Sequence, residues 1–168
     1  VLGVRYTLHR NGRPWNLVIE GAVKVPIDGE RPFLSTGNFD FGLQVTLQRF
    51  AKRHAGYASL AAVYARGSDV APTYSSQVVP TLVLGYEYQW SERTNLNAQV
   101  YASPSVYKHS DTDLRELLDP KYQISLGLRY RIGGSVITFA VTENVVNYHN
   151  GPDVGFQIGW AYSPALAR

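Results

Sequence analysis

Apolar and polar residues alternate with a period of two through most of the chain, and this pattern restricts the fold more than any other feature. In 121–132 every even-numbered residue is apolar or aromatic, and the odd-numbered residues are polar, basic or glycine. The segment 154–162 repeats the pattern. Because successive side chains of a strand point to opposite faces, this period predicts strands with one apolar and one polar face. No period of 3.6 extends beyond a turn or two, so the sequence predicts an all-β fold.

The alternation predicts about nine antiparallel strands, most of them about 9–13 residues long, whereas soluble sheets average ~5–6. The connections alternate between short and long. The short connections are 10–13, 51–56, 91–94 and 133–134, with Asn-Gly and Gly-Gly hairpin signals. The long connections are 26–37, 67–77, 104–120 and 144–153, with one short helix expected within 112–118. All tight turns should therefore lie at one end of the sheet and all long loops at the other.

Long strands and this asymmetry of connections predict an antiparallel transmembrane β-barrel. Only 17% of residues are charged, compared with about 25% in soluble domains. The longest apolar run, Leu60–Ala65, is far shorter than the ~18 residues that indicate a spanning helix. Aromatic residues lie near the predicted strand ends, as in interfacial girdles. These are Trp15, Tyr86, Tyr88, Trp90, Tyr130, Trp160 and Tyr162.

A soluble β-sandwich or lipocalin-type barrel is the alternative, because its strands also alternate. In those folds the outer face usually carries Lys and Glu. Here the polar face consists mainly of Gln, Asn, Ser, Thr and Gly, which favours a lumen. We therefore expect one barrel domain or barrel fragment over 1–168. Nine is an odd number and bacterial single-chain barrels use even numbers, so we expect the C-terminal part of a ~12-stranded barrel.

Two segments resemble an uncharacterised family of bacterial outer-membrane barrels related to the outer-membrane proteins of phenol-degradation (meta-pathway) operons. The first segment is Lys24-Val-Pro-Ile-Asp-Gly-Glu30 followed by Ser35-Thr-Gly-Asn-Phe-Asp40, and it departs from the family pattern at Ile27-Asp28. The second is Thr142–Phe156, with its Thr-Glu-Asn and Pro-Asp-Val-Gly-Phe stretches. The resemblance covers roughly 20–165. It implies a barrel in the outer membrane of a Gram-negative bacterium and a porin-like transport function.

The predicted polar face carries charges of both signs, which either pair to fill the lumen or select a solute. The candidate lumen residues are Arg5, Glu20, Lys24, Asp40, Glu87, Lys121, Arg129 and Arg131, with Glu143 as a further candidate. Lys121, Arg129 and Arg131 would form a positive stripe along one wall and favour anionic solutes. We interpret Asp40, Glu143, Asn144 and Asp153 as residues that anchor loops at the long-loop rim, with a cation or ligand site at the mouth as the alternative.

Other function classes have little support. The chain has no Cys, which excludes disulfides and cysteine-based catalysis or zinc binding. Its net charge is only +3 and its Lys and Arg residues are scattered along the sequence, so no nucleic-acid surface is expected. A lipid-modifying hydrolase would need a serine and one of the histidines, His9, His54, His109 or His149, and the sequence contains no Gly-x-Ser-x-Gly elbow. Metal binding by His109, Asp111 and Asp113 is a weaker alternative.

The sequence therefore predicts a channel or transporter that passes a small, preferentially anionic solute and needs no cofactor. Its expected partners are the lipid bilayer with its lipopolysaccharide, the barrel-assembly machinery during biogenesis, and the solute. The alternative is a structural or surface-interaction barrel whose lumen is closed by side chains.

Overall fold

The computed structural model describes residues 1–9, 14–26, 37–67, 75–146 and 154–163. These residues form one nine-stranded sheet in which each strand pairs antiparallel with its neighbours in sequence. The strands are β1 (Leu2–His9), β2 (Trp15–Lys24), β3 (Asp40–Ala51), β4 (His54–Ala65), β5 (Gln77–Gln89), β6 (Thr94–Ser103), β7 (Lys121–Ile132), β8 (Ser135–Asn144) and β9 (Val154–Tyr162). One short helix, α1 (Arg115–Leu118), lies between β6 and β7. The all-β class and the nine antiparallel strands predicted from the alternation are confirmed.

Two hairpin turns show why the chain reverses where it does. At the β7–β8 turn Gly133 has a φ of 56°, a left-handed conformation that glycine adopts without steric cost. At the β3–β4 turn Lys52 takes a similar conformation, with a φ of 50°. The flanking strands pair without a break from the residues next to each turn, which are Ile132 and Ser135 at the β7–β8 turn and Ala51 and His54 at the β3–β4 turn.

The sheet is open among the strands that the structure describes. β1 pairs along one edge with β2, and β9 pairs along one edge with β8. The remaining edges of β1 and β9 present backbone groups that a closed barrel would pair.

The burial of the two faces of the sheet is the reverse of that in a soluble protein, in which the apolar face is buried and the polar face is exposed. Large apolar side chains are exposed on one face, and Ile158 retains 78% of its accessible surface. Polar side chains in the middle of the other face are sheltered, and Thr46 retains 6%, whereas Arg5, Arg129 and Arg131 nearer its margins are exposed. Contacts on this polar face reach across an intervening strand, as from Tyr57 in β4 to Gln99 in β6. The polar face is therefore the side on which side chains converge, and a dry apolar core is not what holds the described sheet together.

The register corrects one assignment made from the sequence. Glu143 lies opposite Ile124, which places it on the apolar face and not among the polar-face residues. Its side chain is exposed at the long-loop end of β8. The run 135–143 is apolar on both faces, so alternation alone did not reveal which way Glu143 points.

Candidate functional site on the polar face of the sheet

The polar face brings together charged residues from five strands. Among the residues that the structure describes on this face, five are basic and three acidic, and the basic ones are Arg5, Lys24, Lys121, Arg129 and Arg131. The acidic ones are Glu20, Asp40 and Glu87. The strand register places each of these residues on the face that the sequence pattern predicted for it.

Arg129 and Arg131 lie at the short-turn end of this face. The Arg129 guanidinium lies 3.5 Å from the Glu87 carboxylate, a contact that reaches from β7 across β6 to β5. The Arg131 guanidinium donates to the Glu92 carbonyl oxygen at 3.2 Å. A cavity of about 200 Å³ opens between these two arginines, with Arg93 also in its lining. This arginine pocket combines three guanidinium groups with the Glu92 carboxylate and two neutral side-chain amides, so its lining is basic overall and suits a small anion.

Lys121 lies at the opposite end of β7 from the two arginines. Gln123, Ser125 and Gly127 separate it from Arg129 on the same face. These neutral residues interrupt the predicted positive stripe in the middle of the strand, and Glu87 partly compensates the charge of Arg129.

A tyrosine crosses the middle of the polar face. Tyr57 in β4 lies over Gly85 in β5, and its hydroxyl donates to the Gln99 side-chain oxygen in β6 at 2.9 Å. A Cβ atom at Gly85 would lie 1.9 Å from the Tyr57 ring, so only glycine leaves room for the ring. Asn97 lies over Gly127 of β7 in the same manner, with its side-chain oxygen 2.5 Å from where a Cβ would stand. These large polar side chains occupy space that a wide pore would leave open.

Hydroxyl pairs join neighbouring strands on both sides of this tyrosine. Thr46 and Ser59 form a buried hydrogen bond of 2.7 Å between β3 and β4. Ser125 and Thr142 form another, also of 2.7 Å, between β7 and β8. Directly opposed hydroxyl side chains stabilise antiparallel pairs and leave the face polar.

At the long-loop end, Asp40 joins two strands and a loop. Its carboxylate accepts from the Lys24 ammonium at 2.8 Å and from the Arg66 backbone N–H at 3.1 Å. The contact with the Arg66 N–H is of the loop-anchoring kind that the sequence predicts for Asp40, and the ion pair with Lys24 is an additional contact. Asn144 is buried at the end of β8. Asp153 lies outside the described residues, so its predicted contact with this rim stays a prediction.

The histidines do not converge with serine and carboxylate groups in the contacts that the structure gives them. The His54 ring nitrogen lies 2.5 Å from the Tyr86 hydroxyl on the apolar face. His109 lies 3.4 Å from the Gln77 side-chain oxygen. The side chain of His9 and the whole of His149 lie outside the described part of the chain. Within that part, no group of three or more His, Asp or Glu residues could hold a metal ion.

The apolar face carries its ionisable side chains at its ends. Arg49 stacks over Trp15 at the short-turn end, 4.9 Å from the ring centroid, and His54 packs on Tyr88 at 5.1 Å. Glu143 lies at the long-loop end. Between these ends, the described strand positions on this face contain no Asp, Glu, Lys or Arg. In the described part of the chain, no helix has the length and apolarity to cross a membrane.

Comparison with known proteins assigns the chain to one protein family. A family model described as a protein of unknown function (DUF3187) matches residues 1–163. The chain belongs to this family. A search of curated proteins and a search of solved structures each find no match. The match to DUF3187 provides no link to the outer-membrane proteins of phenol degradation, so the resemblance to that family stays a prediction.

Tyr57, Gln99 and Asn97 are polar-face residues that the sequence reasoning did not single out. Their contacts pass over glycines in neighbouring strands. A glycine in the middle of an alternating strand, such as Gly85 or Gly127, is a signal of close approach by another group. The partner that approaches depends on strand register and curvature, which the alternation does not specify.

Proposed function

We propose that this chain is part of an outer-membrane β-barrel whose polar face lines a lumen for a small, preferentially anionic solute. The supporting observation is the inverted burial of the two faces. A soluble sheet turns its apolar face inward, whereas a membrane barrel presents it to lipid and shelters polar groups in the lumen. In this sheet the exposed face is the apolar one and the sheltered face is polar.

Closure of the sheet belongs to the same proposal. Every backbone polar group within a bilayer needs a partner inside the protein, so a membrane sheet must close. The free edges of β1 and β9 would be bridged by further strands, and a barrel of about 12 strands satisfies the even number used by bacterial barrels. With short turns at the periplasmic end, the loop after β6 lies at the extracellular end.

The charges of the polar face support a preference for anions. Basic residues outnumber acidic ones on its described part, and three guanidinium groups and one carboxylate, that of Glu92, line the arginine pocket. Reversal of charge at Arg129 and Arg131 would turn this region acidic. We expect the wild-type protein to conduct in planar bilayers with a reversal potential that favours chloride over potassium. The variant Arg129→Glu with Arg131→Glu should shift that potential toward cations.

A structural barrel without conductance is the second candidate, because Tyr57, Gln99 and Asn97 extend across the middle of the polar face. Absence of stepwise conductance from correctly inserted protein would favour this candidate and contradict the channel. The variant Arg5→Glu with Lys121→Glu is the matched control, because it reverses two basic polar-face residues outside the arginine pocket and changes the charge by the same amount. If this control shifts selectivity as strongly as the reversal of Arg129 and Arg131, the arginine pocket is not the selective region.

A further inference from the structure

A groove of about 360 Å³ lies on the apolar face, away from the polar-face site. Small-molecule sites occupy roughly 300–1,000 Å³, so the volume suits a ligand. The groove lies where β5, β6 and β7 reach the long-loop end of the sheet. Its apolar lining from the strands includes Leu60, Leu82, Ala102 and Tyr122, and the connection between β6 and β7 adds Leu118 and Lys108.

The groove forms because the pairing of β5 with β4 continues toward the long-loop end beyond the point where the pairing of β5 with β6 stops. The register of β4 with β5 runs to Ala65↔Gln77, whereas the register of β5 with β6 begins at Leu82↔Ala102. Pro80 and Pro104 flank this end of the β5–β6 ladder and have no N–H to donate to it. The Ser103 hydroxyl lies 3.2 Å from the Pro80 carbonyl oxygen and 3.2 Å from the Pro104 carbonyl oxygen, so its single proton is shared between the two. The ladder therefore ends at Pro80, and the apolar face opens there.

The β6–β7 connection that completes the groove is held by its own hydrogen bonds. The Gln77 side-chain amide donates to the Val106 carbonyl, which attaches the connection to β5. The Ser105 hydroxyl donates to the Leu117 carbonyl, which attaches its beginning to α1. The groove is therefore formed before any ligand arrives, which reduces the entropy lost on binding.

The charge of the lining identifies the class of ligand. Lys108 is exposed, and among the described residues that line the groove it is the one that carries a charge. An apolar cleft with an ammonium group at its solvent side is complementary to a lipid whose acyl chain is attached to a phosphate-bearing headgroup. We propose that this groove binds an acyl chain of a phosphorylated lipid of the outer leaflet, with the phosphate at Lys108. The inference rests on the proposed function, because a barrel in the outer membrane presents this end of its apolar face to that leaflet.

Native mass spectrometry of the detergent-solubilised protein tests the proposal, with lipid A as the probe and phosphatidylethanolamine as the zwitterionic comparison. We expect lipid A to bind the wild-type protein more tightly. Ala102→Trp fills the groove and should weaken lipid A binding by about tenfold or more. Lys108→Gln removes the ammonium from an exposed position and should weaken it about fivefold, since one basic residue near a lipid phosphate contributes about 1 kcal/mol.

Ala98→Trp is the matched control, because Ala98 lies on the same strand and face outside the groove. Equal weakening by Ala98→Trp and Ala102→Trp, or equal binding of the two lipids, would overturn the proposal. Dimers of the wild-type protein that Ala102→Trp abolishes would also overturn it, by showing a second copy in the groove. Insertion of the same variants into vesicles is measured separately by protection from protease. If the protein inserts into vesicles but shows no lipid preference, only the proposal of lipid binding in the groove is refuted. If the wild-type protein does not insert, the proposed membrane barrel is refuted.

Discussion

At the residue scale, the contact between Tyr57 and Gly85 is the tightest steric fit on the polar face. We expect Gly85→Ala to destabilise the fold by about 1–3 kcal/mol, the range observed when extra carbon is forced into a packed site. Unfolding in urea from lipid vesicles measures the difference. Gly21→Ala is the control, because a Cβ at Gly21 meets no atom within 4 Å. Tyr57→Ala combined with Gly85→Ala should recover much of the loss, and equal effects at Gly21 and Gly85 would contradict the fit.

Two ion pairs on the polar face differ in their geometry. Lys24 and Asp40 are joined at 2.8 Å and partly sheltered, and Asp40 also accepts from a backbone N–H. Arg5 and Glu20 are 3.9 Å apart and more exposed. A charge-assisted hydrogen bond in a sheltered site stabilises more than an exposed ion pair, which contributes about 0–1 kcal/mol.

Neutral variants of Asp40 and Glu20 measure how much each of these two ion pairs stabilises the fold. We expect Asp40→Asn to lower the free energy of unfolding by about 1–2 kcal/mol and Glu20→Gln by less than about 0.5 kcal/mol. Urea unfolding at low and moderate salt measures both changes. A larger loss from Glu20→Gln than from Asp40→Asn would show that the Lys24–Asp40 pair does not hold the long-loop rim.

At the element scale, β7 shows how much the sequence can predict. Its bounds, 121–132, and the face of each of its residues follow from the alternation alone. β8 shows the limit, because its run is apolar on both faces and gave Glu143 the wrong face. Cross-strand contacts such as that of Arg129 with Glu87 depend on curvature, which no local pattern encodes. The groove beside α1 depends on where two ladders end, so the sequence pattern did not predict it.

β7 also provides a test that distinguishes lipid from water at its apolar face. Leu126 is largely exposed, and in a soluble sheet an exposed leucine tolerates lysine within about 0.5 kcal/mol. On the lipid face of a membrane barrel, lysine near the midplane costs about 2–4 kcal/mol. We expect Leu126→Lys to show the larger loss in vesicle unfolding, and Gln123→Lys, on the polar face of the same strand, a small one. Similar small losses at both positions would favour a soluble sheet.

At the scale of the whole molecule, we interpret the exposed apolar face as the surface that contacts lipid and the polar face as the surface that contacts water. The nine strands, their order and the inverted burial are properties of the structure, and the membrane assignment is the interpretation that explains them together. Neither a helix nor a metal site is needed for that interpretation. It requires only that the two faces meet two different solvents.

The most direct test is a scan of spin labels along β7 in the vesicle-inserted protein. The chain has no cysteine, so single cysteines at 121–132 label without background. Oxygen dissolves in lipid, and a water-soluble nickel complex reports aqueous exposure. We expect even-numbered positions from Tyr122 to Ile132 to be relaxed more by oxygen and odd-numbered positions more by nickel, with a period of two. Greater relaxation by nickel at the even-numbered positions would contradict a lipid-facing apolar surface.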